Sequence, residues 1–296
     1  MIYDKAIFGI YPRSESLRVS IGRYERGKLD GNIRDIMADE KRKFYRFAEK
    51  NNVSVAGDPL FNWHDIYRPL FSLFSGLEQG ELHRYKETNT FYRKPIFAGD
   101  VKLSSDPLKP GEDEFSTPVY LPDVHGLRYL FLPSPLSVLR DAENVKEKSR
   151  KQLLEAFKDL IDLVKHDFTI FYEHYDIDGK LLEEISTITD TSESILVSPQ
   201  SNLAANSDLR KYGFNGIVSG NPEDLQKNLE SSGTSFIPFW NCRRTSIESA
   251  GSIEKLLDHV KGSIVDSQKY TICNTDFFDF LPREIADRKV AFDGVA

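Results

Sequence analysis

A chain of 296 residues, 40% hydrophobic and 29% charged, can bury a sizeable core as one large domain or two modest ones. Its formal net charge of -7 argues against a general nucleic-acid binder, which needs a broad basic field. No run approaches the roughly 18 consecutive apolar residues of a spanning helix, and Cys242 and Cys273 form no CxxC pair. Neither nucleic acid nor membrane is expected as a partner, and the cytoplasm is the expected compartment. The opening MIYDKAIFGIY has no basic segment ahead of a long apolar run. It reads as a first strand over residues 5–11, stopped by Pro12.

An amphipathic helix is predicted from about Asn32 to Asn51, with Ile33, Ile36, Met37, Phe44, Phe47 and Ala48 at helical spacing. VSVAG (53–57) is a second strand, and the aromatic stretch 63–74 reads as a short helix with a loop. Residues 97–103 and 115–121 flank an exposed turn rich in Pro, Gly and acids, which makes 85–121 a β-hairpin excursion. Strands are then predicted at 127–132, 168–172, 194–198, 214–219, 235–240 and 270–274. Helices are predicted between them at 145–164, 179–188, 207–212, 222–230 and 252–260. Eight short strands, most followed by a helix, predict an α/β fold, a single (β/α)8 TIM barrel over residues 1–296. A doubly wound sheet is the runner-up, but no GxGxxG joins a strand to a helix.

In such a barrel the residues just past each strand share one mouth. They include Arg13, Asp58, Glu173, His174, Asn241, Arg243 and Asp276, a polar rim suited to a small anionic or zwitterionic ligand. The stretch YKETNTFYRKP (85–95) adds rings among cations: Arg84 would hold a carboxylate, Tyr92 would stack and Asn89 would orient through its amide. The strand ends offer no His-x-Cys pair, so no tightly bound catalytic metal is expected. Glu173 facing Asp58 or Asp276 would permit acid–base work, or glycoside hydrolysis.

Several segments carry a resemblance, in order along nearly the whole chain. GIYPRSESLRVSIGRYERG is similar to a Gly-x-Pro-Arg opening with a Tyr-x-x-Gly step, and TNTFYRKP to a TNYHY-x-x-P segment. FLPSPLSVL is similar to a Gly-Pro-x-Thr segment, and FTIFYEHYD falls where a Gln-x-Asp-Glu-Pro motif would stand. That register matches Glu173 to the glutamate and puts Tyr172 in place of the aspartate. PFWNCRRTSIE is similar to a Gly-Arg-Asn step, and ICNTDFFDFLP to a last strand. Together they resemble the cobalamin-independent methionine synthase family.

The resemblance implies methyl transfer from a polyglutamylated methyl-tetrahydrofolate to homocysteine, with zinc holding the thiolate. It also implies a two-barrel enzyme in which TNTFY marks the N-terminal, zinc-less barrel. Where the zinc-bearing barrel carries its His-x-Cys pair and last-strand cysteine, this chain has SPQSN (198–202) and NTDFF (274–278). Arg18 and Arg84 fall at positions the family uses for the polyglutamate tail, and Arg13 matches the Pro-Arg segment directly. The expected role is a non-catalytic companion or methyl-donor-binding subunit in methionine biosynthesis. It would bind methyl-tetrahydrofolate or another methyl-pterin and work with a separate zinc-bearing catalytic barrel. The alternatives are an autonomous methyltransferase with an atypical site and a different barrel enzyme using Glu173 with Asp58 or Asp276.

Overall fold

The computed structural model of the chain describes residues 3–85, 90–104, 128–175, 179–189, 193–199, 214–219, 236–260 and 270–291. Asn89 and the expected helices at 207–212 and 222–230 lie outside these residues, as does the second arm of the excursion at 115–121.

The chain opens with β1 (Tyr3–Ile7), α1 (Glu15–Glu25), α2 (Ile33–Lys50) and β2 (Val53–Ala56). In α2 the side chain of Asn32 caps the first turn, and Ile33, Met37, Phe44 and Ala48 form the buried stripe that the spacing predicts. Next come α3 (Arg68–Leu73) and two long antiparallel strands, β3 (Phe74–Arg84) and β4 (Phe91–Leu103). The hairpin therefore begins at Phe74, eleven residues before the expected start, and its second strand starts at Phe91. The reason lies in β3 itself, FSGLEQGELHR, whose exposed polar face carries no long apolar run to mark it as a strand.

The alternation then runs β5 (Tyr129–Pro133), α4 (Pro135–Asp141), α5 (Glu147–Leu163), β6 (Phe168–Tyr172), α6 (Gly179–Thr189) and β7 (Glu193–Ser198). It continues with β8 (Phe214–Ser219), β9 (Phe236–Trp240), α7 (Ala250–Val260), β10 (Tyr270–Asn274), a 3-10 turn (Phe278–Phe280) and α8 (Arg283–Val290). The eight parallel strands are the eight read from the sequence, with ends shifted by a few residues. They form two four-stranded sheets, ordered β2-β1-β10-β9 and β5-β6-β7-β8.

Among the described residues no ladder joins β2 to β5 or β8 to β9, so the hydrogen bonding does not close the expected barrel. At the first of these junctions a side chain bridges instead. The Tyr129 ring lies where a Cβ on Gly57 would stand, and its hydroxyl donates to the Ile7 carbonyl of β1. Both faces of the parallel strands are covered, which is why β5 and β6 read as unbroken apolar runs, YLFLP and FTIFY. No described helix is long and apolar enough to cross a membrane.

Asn274 bolts β10 to β1 at the strand tips. Its Oδ1 accepts from Phe8 N at 3.0 Å, while Nδ2 donates to the carbonyls of Phe8 and Asp276, both at 2.9 Å. The bolt sits beside Gly9, whose φ of 74° and close approach to the Phe277 ring leave no room for a Cβ. Asn274→Ala removes the partner of three backbone groups at a buried position, and we expect a loss of about 3 kcal/mol, read as a lower urea midpoint. An unchanged midpoint would show that the bolt is dispensable.

Candidate functional site: a tyrosine-lined carboxyl cluster at the strand ends

The ends of β5 and β6 meet α4, α3 and the β3–β4 hairpin. Ser134 leaves β5 and caps α4 through its Oγ, with Pro135 in the first turn. That start places Ser137 and Asp141 one turn apart, on one face of the helix. The two residues past β6 dock on that face. Glu173 Oε1 accepts from Ser137 Oγ at 2.6 Å and from Tyr175 N at 2.9 Å, and His174 Nε2 lies 3.0 Å from Asp141 Oδ2.

Asp141 is the hub. Its Oδ2 also accepts from Tyr67 OH at 2.6 Å, and its Oδ1 from Tyr92 OH at 3.1 Å and from Tyr175 OH. Burial alone would raise this carboxyl, but the bonds from His174, Tyr175 and Tyr67 bring it below the usual carboxylate range. The hydroxyls of Tyr67 and Tyr92 shift upward, through burial first and the Asp141 charge second, so both stay protonated as donors.

A second network lies beside it. Tyr172 OH donates to Asp276 Oδ1 at 2.7 Å and shares a 2.7 Å hydrogen bond with Tyr85 OH. Arg243 grips Asp276 Oδ2 through Nε and Nη2 at 3.0 and 2.7 Å, and its guanidinium lies 4.4 Å above the Phe280 ring. Four rings form a near-parallel column: Tyr172 on Phe277 at 4.2 Å, Phe277 on Phe280 at 5.9 Å and Phe280 on Tyr85 at 5.9 Å. Outside this column an open cleft is lined by Tyr85, Tyr92, Phe91, Phe280, Asp65 and Asp279, among others.

The expected site residues fall into three groups. Glu173, His174 and Tyr92 join the Asp141 cluster, and Arg243 and Asp276 join the Tyr172 network, where Asn241 Oδ1 accepts from Arg243 N at 2.9 Å. Asp58 is occupied elsewhere, accepting from Lys41 Nζ at 2.5 Å and Leu60 N at 2.8 Å. Of the arginines, Arg13 donates to the carbonyls of Phe61 and Trp63 at 2.6 and 2.8 Å, while exposed Arg18 pairs with Glu15 at 3.6 Å. Arg84 is exposed at the end of β3, opposite Phe91.

The sequence reading missed Asp141, Ser137, Tyr67 and Tyr175. The signal was present in SPLSVLRD, where a Ser-Pro cap fixes the helix phase and so sets Ser137 and Asp141 on one face.

Among the described residues no three His, Cys, Asp or Glu side chains stand together as a metal ion requires. Cys242 and Cys273 are fully buried, and burial pushes both thiols upward, so neither is a ready thiolate.

Asp141 yields a prediction with a definite sign. Its folded value lies below its unfolded one, so its stabilisation is present above about pH 4 and lost as pH falls through the folded value. Asp141→Asn should cost about 3 kcal/mol at pH 7 and flatten the decline in stability from about pH 5 to 3. Urea titrations across that range check this, and parallel pH profiles for the two proteins would contradict it.

No family model and no curated protein sequence matches the chain. Solved structures do match by fold. A B12-independent methionine synthase from Shewanella sp. W3-18-1, solved in complex with selenomethionine, aligns with a TM-score of 0.65 at 12% identity, covering 89% of this chain and 87% of that one. A candidate vitamin-B12-independent methionine synthase from Listeria monocytogenes aligns with a TM-score of 0.67 at 12% identity, covering 97% and 96%. The chain therefore has the fold of B12-independent methionine synthase structures over nearly its whole length.

Proposed function

We propose that this chain is a methionine-synthase-type (β/α)8 barrel of methionine biosynthesis. In this reading it binds a methyl donor at its strand-end mouth and acts as the non-catalytic companion of a separate zinc-bearing barrel. The two four-stranded sheets are the halves of one barrel, meeting at the Tyr129 and β8–β9 junctions. The donor is a methyl-tetrahydrofolate or another methyl-pterin, and the resemblance of the TNTFY segment to the family's N-terminal barrel supports a donor-side role.

The observation that carries the companion role is what the ends of β6, β9 and β10 hold. Tyr172 stands where the resembling motif has an aspartate and is locked to Asp276, and Asp276 is neutralised by Arg243. Asn274 is committed to backbone groups, and Cys273 is packed inside the strand with its thiol protonated. These residues do not fit a zinc ion that activates a thiol, which needs three or four accessible soft or carboxylate ligands. No step of the chemistry is therefore routed through a metal on this chain.

A second reading has its own support. Both solved neighbours align almost end to end with this chain, so they are of about its length, and each carries the methionine synthase name without a second barrel. An autonomous methyltransferase with an atypical site fits that coverage. Affinity purification from the native source separates the two readings. The companion role predicts that a second, His-x-Cys-bearing barrel is recovered with this chain, and recovery of the chain alone favours the autonomous enzyme.

Arg84 tests donor binding. Its exposed guanidinium at the end of β3 suits the carboxylates of a polyglutamate tail, with Arg18 a further exposed cation. Arg84→Ala should weaken a triglutamyl methyl-tetrahydrofolate by about tenfold in calorimetry and a monoglutamate much less. Equal effects on both ligands would remove the tail from the account.

A further inference from the structure

The open cleft beside the hairpin differs in character from the two hydrogen-bonded networks behind it. Tyr85, Tyr92, Phe91 and Phe280 line it, and Phe91 is left 48% exposed. A backbone bond from Tyr85 N to Thr90 O at 2.8 Å closes the hairpin and brings Tyr85, Phe91 and Tyr92 to this wall. The hydroxyls of Tyr85 and Tyr92 are committed to Tyr172 and Asp141, so these two side chains offer the cleft aromatic carbon.

Two carboxyls, Asp65 and Asp279, break the apolar wall. Asp65 is buried, and its Oδ1 accepts from Tyr67 N and Arg68 N, both at 2.9 Å, at the start of α3. Asp279 sits in the 3-10 turn, where its backbone N donates to Ile10 O at 3.1 Å. Its carboxylate is open to solvent and has neither a hydrogen-bond donor nor an ion pair among the described residues. Crowding by protein pushes both carboxyls upward, against the hydrogen bonds that lower Asp65 and the Arg13 and Arg18 charges that lower Asp279. Neither arginine pairs with Asp279: Arg13 donates to the carbonyls of Phe61 and Trp63, and Arg18 pairs with Glu15.

The charge of the cleft selects its occupant. No described lysine or arginine lines it, so an anion has no partner there. A divalent ion needs about three or more ligands together, and the described residues assemble no such group. A neutral apolar ligand would cover the rings but leave the Asp279 carboxylate unanswered. A concave apolar site with a few polar groups of shifted pKa is the usual form of a small-molecule site.

We propose that this cleft binds an organic cation, a protonated amine carried on a flat apolar body. The body packs on Phe91 and Phe280, the ammonium donates to Asp279, and Asp65 adds negative charge to the same cleft. The assignment does not rest on the methyl-transfer reading, since it needs only the cleft, its rings and its carboxyls.

The test uses probes of one shape and different charge on the full chain at pH 7 and fixed ionic strength: phenethylammonium, 2-phenylethanol and 3-phenylpropionate. Calorimetry should show saturable binding of phenethylammonium, about tenfold weaker binding of the alcohol and none of the carboxylate. Asp279→Asn should abolish the preference for the ammonium over the alcohol, and Phe91→Ala should weaken both. Both side chains are exposed, so the variants are expected to keep the fold, and the order of the probes is read on the unaltered protein independently of them. No binding of phenethylammonium, equal binding of it and either control, a preference that survives Asp279→Asn, or affinities unmoved by Phe91→Ala would overturn the proposal.

Discussion

A single buried carboxylate holds the strand-end region together. Asp141 receives hydrogen bonds from Tyr67 just before α3, Tyr92 on β4, and His174 and Tyr175 after β6. Three pieces of chain that are far apart in sequence therefore converge on the two oxygens of one side chain. A buried charge is tolerated only when its lone pairs are satisfied, and here the four donors meet that condition. The hairpin is fixed by the same contact, because Tyr92 reaches Asp141 from β4 while Tyr85 reaches Tyr172 across the mouth.

The consequence is a mouth built from rings and hydroxyls. The column of Tyr172, Phe277, Phe280 and Tyr85 fills space above the strand ends, and Arg243 caps it by pairing with Asp276 and lying over Phe280. Such an arrangement favours recognition of a ligand by donors, charge and flat faces. The two thiols of the chain are packed away from it, protonated and inaccessible.

Much of the framework was legible in the sequence. The parallel strands announce themselves because burial on both faces demands unbroken apolar runs, as in FTIFY, and α2 because one stripe of an otherwise charged segment is apolar. The fold likeness suggested by the short motifs is matched by two solved structures at 12% identity, a level at which pattern survives and overall identity does not. The hairpin start was not legible, since β3 alternates weakly and carries two glycines. Nor was the hub: an Asp seven residues past a Ser-Pro is unremarkable until the folded helix brings it to His174. The arginines show how little of a side chain's contacts the sequence carries: Arg13, read as a ligand-binding cation, donates to the backbone carbonyls of Phe61 and Trp63.

The companion role is tested most directly by following a labelled methyl group from methyl-tetrahydrofolate to homocysteine. The reaction is run with this chain alone, with a separately produced zinc-bearing barrel alone, and with the two mixed. The account predicts no labelled methionine from this chain by itself, and more from the mixture than from the zinc-bearing barrel alone. Sustained turnover by the purified chain, unaffected by the second barrel, would contradict it.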